Sequence, residues 1–131
     1  MDDLQLGLLD GYPVLDLESA LDHTGGDCEL LLQLCAVFTA ECPAELEEVR
    51  TAVETCSRIW IGRAAHKLKG STSVLGGVQA SEAALQLERL ADSGDHEQLR
   101  AGFEALRLAV GSLLARVKQW ENESDVKGAV T

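Results

Sequence analysis

The sequence predicts an all-helical domain: an antiparallel four-helix bundle with a short extra helix at its N-terminal side. Three observations carry this expectation. Leu, Ala and Glu are abundant, aromatic residues make up only 4% of the chain, and proline occurs only at Pro13 and Pro43. That balance favours helix over sheet. Apolar residues recur at spacings of three and four through four long segments, the period of a helix with one buried face. The links between those segments are short, which suits antiparallel neighbours. At 131 residues, the chain is long enough to bury one core and too short for two.

Residues 1–12 read as an N-terminal extension, 13–121 as the bundle and 122–131 as a polar tail. Asp16 can cap a two-turn helix that the Gly25–Gly26 pair stops. From about Asp27 to Thr55, one apolar stripe is formed by Leu31, Cys35, Phe38, Cys42, Leu46, Val49 and Val53. Pro43 lies inside that run, where its missing N–H and its ring should kink or divide the helix. Ser57 can cap the next helix, which reaches about Leu75 and ends on Gly76–Gly77. A further helix spans about Gln79 to Ala91, with Ala80, Ala83, Leu87 and Leu90 inward and Gly94 closing it. "DHEQ", Asp95 to Gln98, is a capping box in loose form, with Asp in place of the hydroxyl residue. Leu99, Phe103, Leu106, Val110, Leu113, Val117 and Trp120 then alternate steps of four and three, a sustained heptad seam. After Glu121 the polar sequence should fray.

A net charge of −11 argues against nucleic acid as the main partner, since phosphate binding needs a basic footprint. No apolar run approaches the roughly 18–20 residues of a membrane span, and the N-terminus lacks the basic region of a signal peptide. Cys28, Cys35 and Cys42 are spaced by seven along one helical stripe, and Cys56 stands apart. With no C-x-x-C, zinc and redox readings are weak. Small core residues in a reducing cytoplasm are the expected role.

The unusual stretch is "RAAHKLKGSTSVLGG", Arg63 to Gly77. Placing residues about 100° apart with His66 at zero gathers Ile61, Ala64, Leu68, Ser71 and Leu75 on the opposite side as a core stripe. His66 therefore points outward, flanked by Gly62, Arg63, Lys69, Gly70 and Ser73. Each mid-helix glycine costs about 1 kcal/mol relative to alanine, so two bracketing one imidazole imply that something bulky approaches the ring. Residues 56–75 contain Arg58, Arg63, Lys67 and Lys69 and no acid, whereas residues 1–55 hold thirteen acids and a single arginine. A local field of that sign suits a dianionic phosphoryl group or an acidic partner. A metal at His66 is not expected, because no His, Cys or carboxylate lies three or four residues from it. "LKGSTS" lacks the order of a P-loop, and no nucleophile elbow is present. His23 and His96 read as ordinary solvated or half-buried side chains.

"AHKLKGSTSVLGG" resembles the signature of histidine-containing phosphotransfer (HPt) domains, the intermediates of multistep two-component phosphorelays. "PVLDLESALDHTGGDCELLLQLCAVFTAECPAELEEV" is similar to their usual lead-in, and the region to about Trp120 fits their closing helical hairpin. The resemblance implies a bundle presenting one phosphorylatable histidine, His66. It also implies that Lys69 steadies the phosphoryl group and that Gly70 opens access, with Lys67 in a supporting electrostatic role. The implied reaction is in-line phosphoryl transfer from an aspartyl phosphate on a receiver domain to His66, and on to another receiver. The implied partners are the receiver domains of a hybrid sensor histidine kinase and of a response regulator.

A neutral imidazole is a competent nucleophile near physiological pH, and such transfer depends mainly on positioning and charge neutralisation. The chain offers no carboxylate cluster beside His66, so Mg²⁺ is expected in the partner receiver and no cofactor in this chain. The domain is expected to be a phosphocarrier without autonomous catalysis, cytoplasmic or part of a membrane-anchored kinase, and a monomer. The Leu-rich second helix and the final seam leave a dimer open. Leu30, Leu34 and Val37 give the second helix more apolar surface than one stripe needs; they either dock a receiver or contact the short first helix. Two other readings remain: a protein-interaction module that carries no phosphate, and a phosphoacceptor domain of the chemotaxis-kinase type.

Overall fold

The computed structural model describes Leu9 and residues 11–130, with side chains to Ser124. Most of the expected N-terminal extension thus lies outside the described residues. Among those described there are five helices and no strand: α1 (Leu17–His23), α2 (Cys28–Glu54), α3 (Arg58–Val74), α4 (Val78–Ser93) and α5 (His96–Val130). Helices α2 to α5 pack each on the next, and α5 closes back on α2. The result is the expected four-helix bundle with α1 as the short addition. Among the described residues, no helix is long and apolar enough to cross a membrane.

Helix starts follow the capping residues. Asp16, Asp27 and Ser57 each accept a hydrogen bond from the backbone N–H three residues on, satisfying a donor that the first turn leaves free. The capping box at α5 is reciprocal: Gln98 N–H donates to Asp95 Oδ1 at 2.8 Å, and Asp95 N–H donates to Gln98 Oε1 at 2.9 Å.

Helix ends use left-handed residues. At the end of α3, Gly77 N–H donates to the Thr72 carbonyl and Gly76 N–H to that of Ser73, a Schellman closure with Gly76 at φ +73°. The end of α2 repeats this bonding through Ser57 to Ala52 and Cys56 to Val53. There the left-handed slot holds Cys56 at φ +56° instead of a glycine.

The core contains Leu31, Cys35, Phe38, Cys42, Val49 and Val53 of α2, Ile61, Leu68 and Leu75 from α3 and its cap, and Leu87 of α4. From α5 it takes Leu99, Leu106, Val110, Leu113 and Val117. Phe103, Leu46 and Trp120 pack against it while partly exposed. On α3 the wheel was nearly right: Ser71 is only half-buried, while Ala65 and Thr72 are fully covered.

Three expectations require correction. Of the two outcomes expected at Pro43, a kink or a division, division does not occur: the helix runs unbroken from Cys28 to Glu54. The carbonyl it leaves without an amide partner belongs to Thr39, an exposed residue where water is available. Fraying after Glu121 is not observed either, since α5 continues to Val130. A Gln119–Glu123 side-chain bond at 3.3 Å spans one turn at that point. Finally, only Cys35 and Cys42 are buried, while Cys28 and Cys56 are exposed. Burial, aided by the charges of Glu121 and Glu45 respectively, pushes the Cys35 and Cys42 thiols up to about 11, so both stay protonated near neutrality.

Candidate functional site

The site begins with the register between α3 and α4. The tight Gly76–Gly77 link makes the two helices a hairpin, so a residue on the face of α3 turned to α4 meets one about as far beyond the link as it lies before it. Near the link, Ser73 Oγ and Thr72 Oγ1 lie 2.7 Å and 2.9 Å from Ser81 Oγ. At the other end, a Cβ built on Gly62 would meet Ala91 Cβ at 3.8 Å. Midway between these contacts, His66 lies opposite Glu88.

His66 is exposed, its side chain retaining 65% of its accessible surface. Its Nδ1 lies 3.1 Å and 3.2 Å from the two carboxylate oxygens of Glu88. A carboxylate only accepts, so Nδ1 carries the hydrogen and donates it. The neutral ring then keeps its lone pair on Nε2, and the tautomer is fixed by the bond on the other nitrogen. Lys69 Nζ stands 3.6 Å from the same carboxylate. One glutamate therefore orients the imidazole and holds an ammonium one turn away from it.

The flanking residues divide by environment. Gly70 is exposed, and a Cβ there would meet nothing within 4 Å. The fold alone gives no reason for glycine at that position, nor at Gly62, where a Cβ would make only an ordinary contact with Ala91 of α4. Arg63 is exposed. Lys67 Nζ approaches Glu48 of α2 at 3.9 Å, a pair of two exposed side chains worth little to stability. Ser73, placed by the wheel on the histidine's face, turns its hydroxyl to Ser81.

On α2, Leu30 and Val37 remain 40% and 52% exposed, so neither is covered by α1. Leu34 differs, being half-buried against the core. Val74, at the end of α3, adds another exposed apolar side chain. Among the described residues, no group of three or more His, Cys, Asp or Glu is arranged to hold a metal ion.

Glu88 is the residue that sequence reasoning missed. Reading along one helix found no carboxylate within a turn of His66, and the one that matters comes from the neighbouring helix. Removing it gives a direct check. On the phosphoacceptor role that the resemblance implies for His66, Glu88→Ala should slow phosphate uptake by about tenfold, because the ring loses both its orientation and its fixed tautomer. Glu88→Gln, which can still accept from Nδ1, should stay closer to wild type. Uptake rates from a phosphorylated receiver, with circular dichroism to check the fold, decide the point.

Fold and site together define the class only as a helical bundle that presents one oriented imidazole to solvent beside a lysine. Comparison with known proteins is more specific: the Hpt domain family model matches residues 33–120, and the chain belongs to the Hpt domain family. That membership supports a histidine phosphotransfer role in phosphorelays. The HPT domain of an Hpt sensor hybrid histidine kinase from Shewanella superposes with a TM-score of 0.72 at 19% identity. The match covers 84% of this chain and 95% of that one. A rice protein described as a histidine-containing phosphotransfer protein gives 0.73 at 12% identity, over 94% of this chain and 93% of its own. At such identities the likeness is one of fold. No curated protein sequence matches.

Proposed function

We propose that the domain is a phosphorelay intermediate in which His66 Nε2 takes the phosphoryl group from the aspartyl phosphate of one receiver and yields it to another. The observation that supports this reading most is the arrangement of half-buried Glu88 and Lys69 around the exposed ring of His66. In the forward step the Nε2 lone pair attacks phosphorus in line while the P–O bond to the aspartate breaks, and the carboxylate leaves. The ring gains positive charge as the N–P bond forms, and Glu88, facing the Nδ1–H, stabilises that charge. Lys69, released from Glu88 by rotation of its side chain, neutralises the phosphoryl oxygens. Gly70 leaves room for the receiver's acidic pocket, and Arg63 and Lys67 add favourable charge around it. Mg²⁺ comes with the receiver. The partners fitting this chemistry are the receiver of a hybrid kinase and that of a response regulator.

The test is incubation of the full chain with a labelled, phosphorylated receiver. Acid-labile, base-stable label should appear on this chain and leave it when an unphosphorylated second receiver is added. No label on this chain would overturn the reading.

The exposed apolar side chains of α2 supply docking surface in this reading. Leu30→Ala combined with Val37→Ala should raise the receiver concentration needed for half-maximal transfer by about tenfold. The rate at saturation should hardly change, since neither residue reaches the phosphoryl group. Leu34→Ala should instead lower thermal stability, because that side chain packs on the core. Saturation kinetics and a melting curve separate the two effects.

A further inference from the structure

Away from His66, the α2–α3 and α4–α5 turns meet at one end of the bundle, and there a thiol and an imidazole from different helices come together. Cys56 Sγ lies 3.2 Å from His96 Nδ1, and both residues are exposed. Arg58 spans the same junction, with Nη1 donating to the Ala91 carbonyl at 3.1 Å and Nη2 to that of Gly94 at 2.7 Å. The first turn of α3, just after Cys56, contains no acid. Glu54, Asp95 and Glu97 are the carboxylates nearest in sequence to the pair.

The fold does not ask for cysteine at this point. Among the described residues, Cys56 is the only non-glycine with a positive φ, in a helix-closing slot that glycine fills without strain. A nucleophile within hydrogen-bond reach of a base is the arrangement that activates thiols. The other cysteines differ. Cys35 and Cys42 are buried. Cys28 is exposed, but the three histidines make their contacts elsewhere, with the Val74 carbonyl, Cys56 and Glu88, so no imidazole stands beside it as a base.

We infer that Cys56 is a thiol-modification site, with His96 as its base and a low-molecular-weight disulfide of the glutathione class as its substrate. His96 Nδ1 takes the thiol proton and the Cys56 sulfur attacks one sulfur of the disulfide. The disulfide S–S bond breaks as a new one forms to Cys56. The departing thiolate takes the proton from His96 and leaves as the free thiol. The Cys56 sulfur is oxidised and the departing sulfur reduced, so no further oxidant is required. This inference does not depend on phosphate transfer.

The experiment exposes the full chain to oxidised glutathione and follows adducts by intact mass and peptide mapping. Cys56 should be modified at least about tenfold faster than Cys28 in the same molecule. His96→Gln should slow Cys56 by about tenfold while leaving Cys28 unchanged. Because Cys28 is an internal reference, general loosening of the variant would speed both sites and could not imitate a selective loss. Cys56→Gly should melt no lower than wild type, as expected where the cysteine is not kept for the fold. Equal rates at Cys28 and Cys56, an unchanged Cys56 rate in His96→Gln, or a lowered melting point in Cys56→Gly would each overturn the inference.

Discussion

Replacing His66 with glutamine is expected to reduce phosphate uptake from a phosphorylated receiver to background. An amide nitrogen has no lone pair available for attack, so no slower version of the same reaction remains. Glutamine still fits the exposed position and can donate to Glu88, so stability should change by no more than about 0.5 kcal/mol. The other histidines do not replace it. His23 Nδ1 lies 3.1 Å from the Val74 carbonyl and His96 meets Cys56, and neither is paired with a glutamate–lysine arrangement like that beside His66. The measurement is acid-labile label on the variant beside wild type, with a melting curve to establish that the bundle is intact. Wild-type labelling of His66→Gln would assign the chemistry to another residue.

The largest structural effect is expected at Gly76. A Cβ there would stand 2.2 Å from the Asp16 carbonyl oxygen, at a backbone φ of +73°. Two costs therefore combine, the left-handed conformation and a collision with main chain that cannot rotate away. Asp16 N–H donates to the Gly76 carbonyl at 2.7 Å, and Gln79 N–H to that of Pro13 at 3.0 Å, so moving the corner would break the clamp on α1. Gly76→Ala should destabilise the domain by about 3 kcal/mol, lowering the melting temperature by about 10 °C. Gly70→Ala, with open space around its Cβ, should instead gain the ordinary helix-propensity difference of about 1 kcal/mol. Thermal denaturation of the two variants side by side gives the comparison.

Much of this architecture is legible in the sequence because helix starts and stops are written in single residues. Asp16, Asp27 and Ser57 cap where their side chains allow, and the heptad seam of α5 is the buried face of that helix. Failures came where tertiary surroundings override a local rule. Pro43 is tolerated because the carbonyl it orphans belongs to an exposed residue. Cys28 follows the same seven-residue spacing as Cys35 and Cys42, yet it is the first residue of α2 and lies beyond the packed part of the stripe.

The candidate site shows the same division. One helical wheel places His66, Lys69 and Gly70 correctly relative to the core, because exposure along one helix follows from its period. Glu88 belongs to another helix, so no wheel of α3 can contain it. The signal was nonetheless present in the two glycines of the link. A tight helical hairpin centred on Gly77 puts the residue eleven positions before it, His66, opposite the residue eleven positions after it, Glu88. Pairing across that turn, which the Ser73–Ser81 contact follows as well, would have found the carboxylate.

The most direct measurement is the position of the phosphoryl group on the protein. The full chain, labelled with ¹⁵N at histidine, is phosphorylated by a receiver, and the phosphorus–nitrogen coupling is read by NMR. The expected result is one N–P bond, on Nε2 of His66, because Glu88 occupies Nδ1. Phosphorus on Nδ1 of His66, on His23 or His96, or on no histidine would contradict it.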